Sequence, residues 1–301
     1  MRASKNLAVT AAFASVLLSF SINSIITRYL VSGSLVGPFP LTIIRFSSGL
    51  VTLWLVSGKM SGKVKRTRAG RRDVSGAFFL GAYAFAISFG YNYIPAAAGA
   101  LVFYSMVVLT MSSYSVVGEG EKVSVPLVAG LLLGVIGIVT MTFGGIGSVS
   151  SLGVALMAVT GTAWGLYSVY GKSSESYFGY TYNSFLYFGL ANVFLVLLVT
   201  ALQGTRQWTA IALPNLALAL YMGMVSTALS YVIWNGVLKR VSASQGGLTQ
   251  LLVPIITSIM GVVLLSEEVT FGLVAGGSLI LLGIYVNGSR RTGPRAPQAS
   301  T

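Results

Sequence analysis

The chain contains no cysteine and no histidine, and only six of its 301 residues are acidic. Without cysteine there is no disulfide framework, no thiol nucleophile and no thiolate ligand, and no inference about redox compartment follows. Without histidine there is no imidazole acid–base chemistry and no usual zinc site. Charged residues make up 8% of the chain, where a soluble domain carries roughly 25%. No Gly-rich, lysine-containing nucleotide loop is present, which argues against ATP as a power source. Catalytic residues, metal ligands and cofactors are therefore expected to be none, and the chain is not read as an enzyme.

What is present is apolar: 54% of residues are hydrophobic and the mean hydropathy is +0.82. Ten apolar runs are visible, at about 7–29, 38–57, 74–93, 96–117, 125–143, 150–171, 180–202, 212–235, 245–266 and 270–287. Each is near the roughly 20 residues a helix needs to cross a bilayer. Transmembrane β-strands would alternate apolar and polar residues over about ten positions, and these runs do not. The first run follows Arg2 and Lys5 as a signal peptide would, but it continues to Val31. It is read as the first membrane helix.

The net charge of +13 does not point to nucleic acid, because the basic residues gather in short blocks between apolar runs. The connection GKMSGKVKRTRAGRRD holds Lys59, Lys63, Lys65, Arg66, Arg68, Arg71 and Arg72. The positive-inside tendency places it in the cytoplasm. Ten spans then put both termini inside, with sixteen of the nineteen basic residues on the cytoplasmic face and Arg28, Arg45 and Arg206 apart from them.

An internal repeat runs through the chain. GEGEKVSVPLVAGLLLGVIGI from Gly118 parallels LSEEVTFGLVAGGSLILLGI from Leu265, with Glu121 opposite Glu268 and Gly130 opposite Gly277 at one offset of 147. PAAAGAL from Pro95 parallels SASQGGL from Ser242, and LSFSINSIITR, ending at Arg28, loosely parallels GTAWGLYSVYGK, ending at Lys172. Five spans per half is an odd number, so the halves enter the membrane from opposite sides. Such inverted repeats underlie alternating access in many secondary transporters. The expected division is 1–144 for the first repeat, 145–289 for the second and 290–301 for a cytoplasmic tail.

Three stretches carry a family resemblance: VGPFPLTIIRFSSG from Val36, TAWGLYSVYGK from Thr162, and LLVPIITSIMGVVLLSEEVTFGLVAGGSLILLG from Leu251. They resemble the drug/metabolite transporter superfamily with two EamA-type repeats, over nearly the whole chain. Within it the chain is most similar to bacterial exporters of aromatic amino acids of the YddG type. The resemblance implies an all-α integral membrane basket of ten helices around a central cavity. Spans three, four, eight and nine line it, helped by one and six. It further implies a monomer in a bacterial inner membrane, exporting small molecules. The first repeat departs from the family pattern: Val107 stands opposite Pro254, and Phe20-Ser21 stands where the second repeat has Trp164-Gly165.

Candidate substrate-binding residues are Asn23, Phe79, Tyr83, Tyr104, Trp164, Ser230, Tyr231, Trp234 and Gln250. Aromatic faces can receive an aromatic or cationic solute, and they can equally face lipid or fill helix contacts. Trp164, in mid-span, reads as cavity wall or close packing; Asn23 reads as a substrate contact or a bridge between helices. Asn235 lies near the inner surface and is discounted. Arg45 sits about seven residues inside the second span, roughly 10 Å deep, as a framework residue or a receptor for a carboxylate. Pro254 removes one helical hydrogen bond and acts as a gate or a static bend. Glu267 and Glu268 stand at the outer junction before the tenth span, where Glu268 is placed to cap that helix; proton coupling is the other role open to the pair. Gly130-x-x-x-Gly134 and Gly272-x-x-x-Gly276 read as packing seams. The expected function is secondary export of amino acids, aromatic ones first. Other amino acids, cationic drugs and small metabolites stay open, and an integral-membrane enzyme or a scaffold with a packed centre are the other classes.

Overall fold

The computed structural model describes residues 2–59, 70–143, 149–205, 208 and 211–288. Lys63, Lys65, Arg66, Arg68, Arg206 and the tail from Ser289 onward lie outside the described residues. The described chain is all helical: α1 (Arg2–Ser32), α2 (Pro38–Lys59), α3 (Arg71–Gly90), α4 (Ala96–Glu119), α5 (Val125–Phe143), α6 (Ser151–Lys172) and α7 (Tyr177–Gln203) come first. Then follow α8 (Leu213–Tyr221), a π-helical segment (Met222–Leu229), α9 (Ser230–Leu238), α10 (Ala243–Thr249), α11 (Leu252–Leu265) and α12 (Phe271–Gly288).

Among the described residues, eight helical stretches are long and apolar enough to cross a membrane: α1 to α4, α6, α7, the α8–π–α9 unit and the α10–α11 unit. The fifth and tenth runs form α5 and α12, in which 128–137 and 271–283 are shorter apolar stretches. The exterior is apolar, with Leu197 65% and Val263 71% exposed, while the interior holds Ser21, Thr27, Thr42, Thr227, Asn235, Gln250 and a fully buried Arg45. This inside-out distribution belongs to a multi-pass membrane protein, since a lipid-facing surface must be apolar and polar groups must find partners inside.

Local signals set the helix starts. The Asp73 carboxylate accepts the Gly70 N–H at 2.9 Å at the start of α3. Ser176 caps α7 through the Gly179 N–H at 3.0 Å, and Ser242 and Gln245 form a reciprocal box at the start of α10. Gly120, at φ 72°, ends α4 in the left-handed conformation.

The ninth run is interrupted between α10 and α11 for a definite reason. Pro254 has no N–H to offer the Gln250 carbonyl, which instead accepts the Val253 N–H at 3.0 Å. The helix tightens there and restarts.

Helices α5 and α12 pack side by side through glycine. A β-carbon added at Gly283 would come within 2.6 Å of the Gly130 carbonyl, and one at Gly137 within 2.7 Å of the Gly276 carbonyl. With 130 against 283 and 137 against 276, the two helices run antiparallel. Gly130 and Gly134 both border the seam as expected, since the Gly134 nitrogen would lie 3.2 Å from the carbon added at Gly283, although a β-carbon at Gly134 itself meets nothing within 4 Å; the second close contact, between 137 and 276, falls seven residues along. Two helical turns bring the same face back to the seam in an antiparallel pair.

Candidate functional site

Helices α1, α2, α3, α4, α6, the π–α9 unit and the α10–α11 break converge on one buried cluster. Small residues permit the approach. A β-carbon at Gly223 would collide with the Arg45 carbonyl and the Ser48 hydroxyl, and one at Gly161 with the Phe103 carbonyl. The π-helical segment shifts the register of the eighth span, and the Ser230 hydroxyl bonds the Val225 carbonyl five residues back at 3.0 Å. Such segments often mark functional sites because the extra residue per turn re-aims side chains. Here Thr227 and Tyr231, four residues apart, both reach Arg45.

Arg45 is the centre of the polar network. Its Nε donates to Thr227 Oγ1 at 2.7 Å, and its Nη2 donates to the Tyr83 and Tyr231 hydroxyls, each at 2.9 Å. The Tyr231 hydroxyl donates to that of Tyr83 at 2.9 Å, and the Asn23 amide lies 3.4 Å from the same oxygen. The guanidinium also lies 4.9 Å from the centroid of the Phe46 ring and 5.5 Å from that of Tyr83.

Aromatic rings close around this network. Trp164 lies 4.5 Å from Tyr231, 5.3 Å from Tyr83 and 5.3 Å from Phe20, centroid to centroid. Phe20 also meets Tyr231 at 5.9 Å and Trp234 at 6.0 Å. Each pair adds about 0.5–1.5 kcal/mol beyond its buried area. Their polar edges are satisfied: Trp164 Nε1 donates to Gln250 Oε1 at 2.8 Å, and Trp234 Nε1 donates to Ser168 Oγ at 3.0 Å. Gln250 sits at the helix break, so the interruption positions the partner of the central tryptophan.

The structure thus brings together Asn23, Tyr83, Trp164, Tyr231, Trp234 and Gln250. Tyr104 stands one ring further out, stacked on Phe103 at 4.2 Å, with Phe103 against Tyr83 at 5.9 Å. Phe79 does not join them; it is half-buried and packs on Phe78 and Tyr170, each at 5.5 Å. Ser230 bonds its own helix. Pro254 breaks the helix, yet it lines an exterior apolar groove of about 480 Å³ with Leu101, Ile259 and Val263. Arg45 lies at the centre of the network, tying α2 to α3, the π-helical segment and α9. Asn235, discounted on depth, is fully buried and donates to Thr181 Oγ1 at 3.0 Å. Phe20, Tyr167, Ser168 and Thr227 join the cluster without being candidates from sequence. Of these, Phe20 alone carries a signal, since it stands opposite Trp164 in the repeat.

The glutamates occupy two similar constructions at the helix ends. Glu267 accepts the Ala96 N–H at 2.6 Å and the Ala97 N–H at 3.2 Å, and pairs with Arg28 Nε at 3.4 Å. It therefore caps α4, whereas α12 is capped by Thr270, whose hydroxyl accepts the Leu273 N–H at 3.1 Å. The expected cap of α12 by Glu268 gives way to this arrangement because Ser266, at φ 52°, turns the chain so that Glu267 faces α4. In the counterpart, Glu119 accepts the Ala243 N–H at 3.2 Å at the start of α10 and forms an ion pair with Lys172. Lys239, just beyond α9, is held below the usual lysine range by partial burial and then by nearby Lys172.

Comparison with known proteins agrees with this architecture. The EamA-like transporter family matches residues 151–289. An uncharacterized transporter of Clostridium kluyveri is 27% identical over 282 residues, covering 89% of each chain. A protein of Salmonella typhimurium named a probable amino-acid metabolite efflux pump is 26% identical over 211 residues, covering 67% of this chain and 69% of its own. A solved crystal structure superposes with a TM-score of 0.66 at 20% identity, over 95% of this chain and 99% of the other, which speaks to the fold. The membrane-length helices, the family match on the second half and the relatives that span most of both chains lead to one placement: the chain belongs to the EamA-like transporter family of the drug/metabolite transporter superfamily.

Proposed function

We propose that the protein is a secondary transporter that exports amino acids, aromatic ones first, and related small metabolites by alternating access. The observation that carries this reading is the buried polar and aromatic cluster at the convergence of seven spans. A purely structural core in a membrane has no need of a central arginine ringed by hydroxyls and tryptophans.

Two further features support the reading. The antiparallel pairing of α5 and α12 agrees with ten spans in two inverted repeats, 1–144 and 145–289, with both termini cytoplasmic. The Arg28–Glu267–α4 and Lys172–Glu119–α10 constructions then lie on opposite faces, each tying the end of a repeat's first span to the start of a helix in the cluster. They act as outer and inner gates that are both closed here, with the substrate region occluded between them. The efflux-pump name of the Salmonella relative supports an amino-acid cargo, and a monomer suffices because one chain encloses the cluster.

No carboxylate lies in the cluster among the described residues, so transport runs as facilitated or weakly coupled export. The test is flux of labelled tryptophan, phenylalanine and threonine in proteoliposomes of the purified full chain. Flux above empty liposomes, greatest for the aromatic pair, is expected. Oriented protein that moves none of a broad amino-acid and metabolite panel would refute the transporter.

A further inference from the structure

Among the described residues, the charge on Arg45 has no counter-charge. A guanidinium stays protonated in proteins, and this one is fully buried. Its three hydrogen bonds end on the neutral hydroxyls of Thr227, Tyr83 and Tyr231. The acidic residues are occupied or placed elsewhere: Asp73 caps α3, Glu119 and Glu267 serve the two end constructions, and Glu121, Glu175 and Glu268 lie in junctions between helices. A buried cation without an anion is unfavourable, since bonds to neutral hydroxyls and the faces of Phe46 and Tyr83 repay only part of the cost of removing it from water.

The guanidinium itself is short of acceptors. Arginine brings five N–H donors, and Nη1 is buried without a partner. The Tyr83 oxygen already receives Tyr231, Arg45 and, at 3.4 Å, the Asn23 amide, so it is no further acceptor for Nη1. The unpartnered Nη1 of a fixed positive charge, with Trp164, Phe20 and Tyr231 around the network, suits a monoanion attached to an apolar body.

We propose that Arg45 is the receptor for the carboxylate of the transported molecule, so that the cargo is obligatorily a carboxylic acid with an apolar or aromatic body. The inference rests on the transporter reading of the same cluster and deepens it. On binding, the carboxylate takes Nη1 and competes with the tyrosine hydroxyls for Nη2. The hydroxyl bonds holding the guanidinium in place are the substitute contacts of the closed cluster. Amines that lack a carboxylate are excluded because they would set a second positive charge beside the first.

The experiment uses three probes that share one ring: phenylalanine, 3-phenylpropionate and phenethylamine. Each competes against labelled phenylalanine counterflow in proteoliposomes. Each also titrates the intrinsic fluorescence of the purified protein, in which Trp164 and Trp234 report on the cluster. Both carboxylates should compete and change the fluorescence, and phenethylamine should be weaker by about tenfold or more, the scale of one lost charge-assisted bond. Arg45→Gln should abolish that discrimination while Arg45→Lys keeps part of it, a selectivity change that a merely structural role would not produce. Should both variants fail to fold, the ranking of the three probes on the unaltered protein decides alone. Equal competition by phenethylamine overturns the receptor and leaves the transporter standing. Carboxylate-selective fluorescence change without flux keeps the receptor and overturns transport. Absence of both overturns both.

Discussion

Replacing Glu267 with alanine removes three contacts at once from one end of the molecule. The carboxylate accepts two N–H groups at the start of α4, at 2.6 Å and 3.2 Å, and faces Arg28 at 3.4 Å. A hydrogen bond to a charged group contributes about 1.5–3 kcal/mol, and the longer of the two less. The pair with the partly exposed Arg28 adds about 0–1 kcal/mol. The closed arrangement should lose about 3 kcal/mol, which is about 100-fold in the ratio of closed to open ends. Glu267→Gln keeps one acceptor oxygen and should lose about half as much. The natural chain has no cysteine, so Ala98→Cys supplies a single thiol. Ala98 is buried and shares a small pocket with Pro95, Ala97 and Glu267, directly behind the contact. Reaction with a membrane-impermeant maleimide from that face should speed up by about 10- to 100-fold in Glu267→Ala and less in Glu267→Gln. Glu119→Gln, at the other construction, should not speed it. An unchanged rate in a Glu267→Ala protein that melts normally would refute the gate and reduce Glu267 to a helix cap.

Two further outcomes test the cluster's architecture. Trp164→Phe strands the Gln250 oxygen that the indole N–H now satisfies at 2.8 Å, and should cost about 1–3 kcal/mol in thermal or denaturant melts. Adding Gln250→Leu should recover part of the loss, and strict additivity in the double-mutant cycle would deny the pairing. Gly223→Ala forces the π-helical segment away from α2 and stretches the 2.7 Å Arg45–Thr227 bond. It should cost about 1–3 kcal/mol and reduce flux, while Gly134→Ala, with nothing within 4 Å of the new carbon, stays neutral in the same measurements.

The elements were legible where local chemistry sets them. The apolar runs became helices because a helix satisfies its own backbone bonds where lipid offers none, and the break at Gln250 was announced by Pro254. Individual members of the buried cluster were legible when they broke a trend, such as Trp164 in mid-span or Tyr83 well inside its helix. Asn235 was misjudged because its depth along α9 gave no hint of Thr181 on another helix. Phe79 stands outside the cluster because a helix face says which way a ring points without saying which neighbour stands there. Of two adjacent glutamates, the choice of Glu267 depended on the left-handed turn at Ser266.

From sequence alone came the helical membrane class, the location of the spans, the scarcity of acids and the fact that one arginine lies deep in a span. These follow from composition and from spacing along the chain, quantities that do not depend on how the helices meet. Only the tertiary structure decided that Arg45 lies among hydroxyls from residues 38 to 186 positions away, with no acid beside it among the described residues. Helix packing brings distant positions together through glycine contacts and a shifted π-helical register, and neither the partners nor the missing counter-charge is encoded in any local stretch.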